Sequence, residues 1–171
     1  MIGTATVYPC SVRDAMAHWP TGMAVVTTAD RDGWWWGFTA SSVSQVSERP
    51  PLISVSLQRD ARSRPVFAAA DAYAVHVLRA GQEDLADRFT HDAANDFDDM
   101  AVECGYEDVP LLTDVAVRLE CRTVETVAAG DHVLLIGEVV RARTGPHDPL
   151  VYLDQGFRRL ARPDRTAWSA A

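Results

Sequence analysis

The sequence predicts a single mainly β domain, with its strands curled into a barrel and a few short helices beside them. Six or seven segments are predicted as strands, from alternating apolar and polar side chains or from β-branched residues and flanking turns. Too few helical segments separate these strands for a doubly wound α/β sheet. Strands of this length usually avoid exposed edges by closing into a barrel. A chain of 171 residues is long enough for one core and too short for two ordinary domains.

The first half of the chain predicts two short helices and four strands. The first helix covers 12–19, where Val12, Ala15, Met16 and Trp19 share one face, and it ends at Pro20. The other predicted elements of this half are strands over 23–29, 34–39, 52–58 and 72–78, and a helix from its N-cap Ser63 to about Ala70. The turn-forming residues 30–33 join the first two strands into a hairpin.

The run of Trp34, Trp35 and Trp36 lies on the return strand of that hairpin. Successive side chains of a strand point to opposite faces, so three adjacent tryptophans cannot share one face. The run could belong to the core, to a dimer contact or to a docking surface for a partner protein, and a dimer contact is slightly favoured.

The second half predicts one helix and two long strands. The helix covers 82–90, with Leu85, Ala86 and Phe89 on one side and two acidic residues in its first turn. An acidic connection over 91–99 follows. Strands are predicted over 115–122, where apolar residues alternate with charged ones, and over 132–142. Segments 150–153 and 157–160 close the ordered part, and the polar tail from Arg162 is expected to fray.

Charge and composition exclude several classes of function. With a formal net charge of −8, neutralisation of nucleic-acid phosphates is not expected. No apolar run is long enough for a membrane helix, and residues 1–11 lack the basic start and apolar core of a secretory signal. The three widely separated cysteines indicate reduced thiols and a cytoplasmic location. Without a Cys-x-x-Cys motif or paired histidines, we expect no metal.

Three short segments carry the residues best suited to ligand binding. Thr39-Ala40-Ser41-Ser42 offers three hydroxyls at a strand end, although a solvated turn is the commoner role of such a segment. Segment 59–63 joins a strand to a helix start, which suits a phosphate site or a simple capped surface helix. His132 follows the tight turn Gly130-Asp131, so Asp131 can orient its ring; an ordinary hairpin histidine is the alternative.

Further motifs accompany these segments along the chain, namely Pro20-Thr21-Gly22, Gly37-Phe38, Val46-Ser47, Pro50-Pro51-Leu52, Arg88-Phe89, Leu119-Glu120-Cys121, Gly137-Glu138-Val139 and Val151-Tyr152. In this order and spacing, the set resembles the flavin reductase family of two-component monooxygenases. The resemblance covers residues 12–160 and implies one domain there, with 1–11 and 161–171 as terminal extensions. One departure is Asn95-Asp96-Phe97, where relatives often have Asp-Lys-Phe, so an acid replaces a base.

The resemblance implies an antiparallel Greek-key split β-barrel that works as a homodimer, with flavin near the subunit interface. It implies NAD(P)H-dependent reduction of free FAD or FMN and delivery of the reduced flavin to a partner monooxygenase. NADH is favoured over NADPH because no basic cluster awaits a 2′-phosphate. The implied site residues are Thr39, Ala40, Ser41 and Ser42 along the isoalloxazine and ribityl chain, Ser56, Leu57 and Gln58 beside the ring, Arg62 and Ser63 at the phosphate, Phe89 near the flavin, and His132, with Asp131 and Tyr152, on the nicotinamide side.

Hydride transfer from the dihydronicotinamide C4 to flavin N5 requires no strong acid, base or nucleophile from the protein, because the cofactors carry the chemistry. We therefore expect the catalytic role of His132 to be positioning and electrostatic. Two alternatives are a non-catalytic flavin carrier or sensor on the same fold and another split-barrel oxidase, such as one acting on a pyridoxine phosphate.

Overall fold

Three six-residue helices and twelve strands make up the described parts of the computed structural model, which are residues 10–91 and 97–161. The helices are α1 (Val12–Ala17), α2 (Arg64–Ala69) and α3 (Glu83–Arg88). The strands are β1 (Thr21–Gly22), β2 (Ala24–Ala29), β3 (Trp35–Ala40), β4 (Ser44–Glu48), β5 (Pro51–Gln58), β6 (Ala72–Val77), β7 (Val102–Cys104), β8 (Pro110–Leu112), β9 (Val117–Ala129), β10 (His132–Thr144), β11 (Val151–Leu153) and β12 (Gly156–Arg158). Among these residues no helix approaches the length and apolarity of a membrane span.

Seven antiparallel strands form the main sheet, in the order β3-β2-β6-β9-β10-β5-β4. Strands β5 and β6 are consecutive in the chain, yet the hairpin β9–β10 lies between them in the sheet, which is a Greek-key arrangement. The sheet curls around one core, but no ladder joins its edge strands β3 and β4. The mainly β split-barrel prediction is therefore confirmed, whereas full closure of the barrel is not observed.

The barrel interior is filled by the inward side chains of six strands and by Phe67 of α2. On β5 the predicted inward face is confirmed, because Ile53, Val55 and Leu57 are all buried. Phe38 meets Phe67 edge-on with ring centroids 4.9 Å apart. Alternation with a period of two thus identified the buried face of β5 correctly from the sequence.

A second apolar cluster covers the outer face of β2 and β3. It packs α3, the following 3₁₀ turn Phe89–His91 and the loop before β11 against those strands. Trp35 joins it and contacts Phe97 edge-on at 5.6 Å, whereas Trp36 packs on the barrel core and donates its indole N–H to Asp30 at 3.0 Å. Only Trp34 of the three is largely exposed, at 55%. Trp35 and Trp36 are therefore partly buried and pack against these two apolar clusters of the chain.

The small β7–β8 sheet covers the outer face of β6, where Ala72 and Ala74 meet Val109 and Leu111. The same part of the fold also buries two charged residues of β9 that the sequence pattern suggested were solvent-exposed. Arg118 and Glu120 are buried, not solvated: Arg118 pairs with Glu103 at 3.1 Å, and Glu120 pairs with Arg141 at 3.2 Å. The backbone N–H of Tyr106 also donates to Glu120, at 2.8 Å. Their charges are compensated by segments distant in the chain.

The three predicted helices are confirmed, with α1 ending two residues early and beginning at a capping box of Ser11 and Asp14. Ser63 is the N-cap of α2 as predicted, although its hydroxyl makes no capping hydrogen bond. Strand β9 runs seven residues beyond the predicted end at 122. The short strands β1, β4, β7 and β8 were not predicted. The tail from Arg162 and the departure at Asn95-Asp96 lie outside the described residues.

Candidate active site

A cavity of about 470 Å³ opens beside the split of the barrel, within the usual size range of small-molecule sites. The ends of β3 and β5, the start of β10, the end of α3 and the β11–β12 hairpin surround it. The residues lining it are Met23, Phe38, Thr39, Ala40, Ser41, Ser42, Ser56, Leu57, Gln58, Ala61, Ala86, Asp87, Phe89, Thr90, His132, Tyr152 and Phe157. The wall therefore combines aromatic and aliphatic surface with several hydroxyls.

The structure brings most of the predicted site residues together in this one cavity. Those that line it are Thr39, Ala40, Ser41, Ser42, Ser56, Leu57, Gln58, Phe89, His132 and Tyr152. They come from five segments that are distant in the chain, two of which meet because the end of β5 lies opposite the start of β10. Gln58 and His132 are directly paired across that ladder.

Two hydroxyls of the Thr39–Ser42 segment, those of Thr39 and Ser42, make hydrogen bonds with the surrounding backbone. Thr39 Oγ1 donates to the carbonyl of Ala86 at 2.6 Å, and so does Thr90 Oγ1, at 2.9 Å. Ser42 Oγ accepts from the backbone N–H of Ser56 at 2.9 Å and donates to its carbonyl at 3.3 Å. These bonds join the end of β3 to α3 on one side and to β5 on the other.

His132 is positioned by the hairpin between β9 and β10. Gly130 adopts a φ of +62°, which glycine accepts without steric cost, and the chain turns in two residues. Asp131 Oδ1 lies 2.7 Å from His132 Nδ1. That hydrogen bond lowers the pKa of the Asp131 carboxyl, so the acceptor stays ionised and Nδ1 carries the donated proton. The predicted orientation of the ring by Asp131 agrees with this geometry.

Arg62, Ser63 and Asp131 are the predicted site residues that do not line the cavity. Asp131 acts through His132, as described. Arg62 is exposed, and Ser63 is fully buried where α2 begins. The phosphate contacts assigned to Arg62 and Ser63 stay a prediction.

Sequence reasoning missed part of the wall, namely Met23, Phe38, Ala61, Ala86, Asp87, Thr90 and Phe157. Asp87 is the one carboxylate among the described lining residues. Asp87 and Thr90 lie three positions apart in the predicted helix 82–90, a spacing that places them on one side. Only the apolar face of that helix was used in the prediction, so its polar contribution was overlooked.

The chain is similar in sequence to a known domain family and to named proteins. Residues 16–161 match the flavin reductase-like domain family. The FMN reductase (NADH) SmoA of Agrobacterium fabrum is 38% identical over 89% of this chain and 86% of its own. The reductase component of the flavin-dependent trigonelline monooxygenase of Acinetobacter baylyi is 35% identical over 75% of this chain and 41% of its own.

Among solved structures, the NADH:FAD oxidoreductase of Streptomyces globisporus C-1027, in complex with NAD and FAD fragments, superposes with a TM-score of 0.82. It is 34% identical and covers 90% of this chain and 92% of its own. Fold, length and sequence agree over nearly the whole chain, and the protein belongs to the flavin reductase-like domain family.

Proposed function

We propose that this protein is an NADH-dependent flavin reductase, which reduces free FAD or FMN and passes the reduced flavin to a separate monooxygenase. The single observation that supports it best is the lining of the 470 Å³ cavity. Ser41, Ser56 and Gln58 offer polar groups beside the aromatic surfaces of Phe38 and Tyr152. A planar ring system with a polar edge, such as isoalloxazine, fits this donor set.

The chemistry at the site is transfer of a hydride from the dihydronicotinamide to the flavin ring, which the two cofactors supply when bound. The protein's part is to hold two rings at reacting distance and to exclude water. His132, fixed by Asp131, would orient the nicotinamide. Asp87 gives the wall a negative charge and would disfavour the extra phosphate of NADPH.

The proposed activity is tested by following nicotinamide absorbance with purified protein, NADH and either FAD or FMN. Oxidation of many equivalents of NADH per protein chain is expected. Tight flavin binding without turnover would instead favour a flavin carrier or sensor. Oxidation of a pyridoxine phosphate without NADH consumption would favour another split-barrel oxidase.

Replacing His132 separates positioning from acid–base catalysis. We expect His132→Asn to keep substantial turnover and to raise mainly the KM for NADH, because an amide retains part of the hydrogen bonding. His132→Ala should lose more activity than His132→Asn, because it removes both the packing and the hydrogen bonding of the imidazole. The measurement is steady-state kinetics from about pH 5.5 to 8.5, the range in which a histidine acting as a general acid would be expected to show a pH-dependent rate. A loss of turnover of roughly 10²-fold in both variants at unchanged NADH affinity would identify a general acid instead.

We also propose a homodimer. Among the described residues, Val12 and Met16 of α1 and Trp19 just after it are 82%, 55% and 65% exposed, and such apolar patches usually mark contacts. Sedimentation at micromolar concentration is expected to give twice the chain mass of 18.7 kDa. A monomer under those conditions would contradict the dimer.

A cytoplasmic location agrees with the state of the cysteines. Cys10, Cys104 and Cys121 are all free thiols in the structure, and two of them are exposed. Exposed thiols persist most readily in a reducing compartment.

A further inference from the structure

The three hydroxyls of the segment Thr39-Ala40-Ser41-Ser42 are not equivalent. A hydroxyl has one proton to donate. Thr39 gives its proton to the Ala86 carbonyl at 2.6 Å, a bond directed towards α3 on the outer face of the sheet. Its side chain therefore has no proton left for a molecule in the cavity.

The bond from Thr39 holds a wall of the cavity in place. Ala86, Asp87 and Thr90 line the cavity and lie on or just after α3. This helix has only six residues, and its N-cap Gln82 makes no side-chain capping bond. Helices this short are marginal without tertiary support. The Ala86 carbonyl, which accepts from both Thr39 and Thr90, is thus a point where α3 is tied to the barrel.

Ser42 has a corresponding role at the opposite wall. Its Oγ accepts from the Ser56 N–H and donates to the Ser56 carbonyl, so both its proton and a lone pair are used. Ser42 lies in the short connection between β3 and β4, two residues before the first pair of the β4–β5 ladder, Ser44 with Ser54. Its side chain therefore extends the attachment of this connection to β5 by two residues, as far as Ser56.

Ser41 lies between these two residues and differs from both. It is exposed and lines the cavity. Within residues 10–91 and 97–161, no hydrogen bond from its side chain to the protein is observed. Its proton and lone pairs remain available to a ligand.

We propose a division of roles in this segment. Ser41 provides the hydroxyl that binds flavin, whereas Thr39 and Ser42 are positioning residues that fix α3 and β5 on the two sides of the cavity. The proposal rests on the proposed function for the identity of the ligand. The two positioning roles concern the free protein and do not depend on it.

The test combines amide hydrogen exchange of the free protein with flavin titration. Thr39→Val, which keeps the shape and removes the hydroxyl, should speed exchange in peptides covering 83–91 by about 2- to 10-fold, the equivalent of one neutral hydrogen bond. Thr39→Ser should restore protection. Ser42→Ala should raise exchange at the Ser56 amide by a similar factor. Ser41→Ala should leave all exchange unchanged and weaken FMN or FAD binding by about 2- to 10-fold.

Thermal melting of each variant checks that it folds. The positioning role of Thr39 would be overturned if Thr39→Val exchanged over 83–91 at the same rate as the wild-type protein. Failure of Thr39→Ser to restore protection would also overturn it. Weaker flavin binding by Thr39→Val with unchanged exchange would make Thr39 a direct ligand and would also overturn it. If the wild-type protein binds neither FMN nor FAD, the proposed function and the Ser41 role both fail, while the exchange data still decide Thr39 and Ser42.

Discussion

Lowering the pH from 7 to 4 is expected to cost this protein about 3 kcal/mol of its free energy of unfolding through one side chain, His76. His76 is fully buried on the outer face of β6, and burial lowers its pKa from 6.5 to about 3. In the unfolded chain the same imidazole binds a proton near pH 6.5. Its contribution to stability is therefore complete above pH 6.5 and is lost as the pH falls towards 3.

Burial is the main reason why the folded protein excludes the charged form of His76, and the hydrogen bond at Nε2 acts in the same direction. The backbone N–H of Leu112 donates to Nε2 at 3.2 Å, so Nε2 must carry a lone pair. Nδ1 then holds the proton and donates to the carbonyl of Val25 at 3.1 Å. A second proton on Nε2 would face the Leu112 N–H, and nearby Arg118 adds a repulsive charge. Protonation should thus displace the β7–β8 sheet first.

Denaturant unfolding at a series of pH values measures this effect, with His76→Gln as the matched variant. Glutamine can accept from the Leu112 N–H but does not titrate. The variant should be less stable at pH 7, and its stability should change little between about pH 6.5 and 4.5, above the ordinary range of carboxyl groups. Parallel pH curves for the two proteins would contradict the role of His76.

The substitution Gly37→Ala is expected to destabilise the fold by about 1–3 kcal/mol and to weaken flavin binding by roughly tenfold or more. A methyl group on Gly37 would lie 2.7 Å from two ring carbons of Phe89, which is too close for carbon atoms. Phe89 is fully buried, packs edge-on against Phe97 at 5.1 Å, and forms part of the cavity wall. Displacing its ring moves the wall that carries Asp87 and Thr90.

The matched control is Gly22→Ala, because a methyl group there would lie 3.9 Å from Val77, an ordinary contact. It should leave stability within about 1 kcal/mol of wild type. Adding Phe89→Leu to Gly37→Ala removes the opposing ring carbons and should recover part of the lost stability. Denaturant unfolding and FMN titration check these variants together with Phe89→Leu alone. Strictly additive effects of Gly37→Ala and Phe89→Leu would show that this contact is not responsible.

Local patterns in the sequence determined the principal elements of this protein. Alternating side chains identified β5, β6 and β9, because the period of two reports which face a strand buries. Residues that favour strands and the turns beside them identified β2, β3 and β10. The turn at Gly130 placed His132 at a strand start, since only a few residue types allow such a turn. The site segments were also found from sequence, largely through a resemblance whose motifs span most of the chain.

The tertiary structure decided what these local patterns cannot encode. Strands β1, β4, β7 and β8 have two to five residues, too few for a periodic signal, and they form because longer strands or loops lie beside them. Arg118 and Glu120 alternate like a solvated face, yet chain folding brings Glu103 and Arg141 to pair with them in the interior. The partners of Thr39 and Ser42 at Ala86 and Ser56 are likewise distant in sequence. Hydrogen-bond partners across such separations follow from the packing of the whole chain, and so the division of roles within the site became visible only in three dimensions.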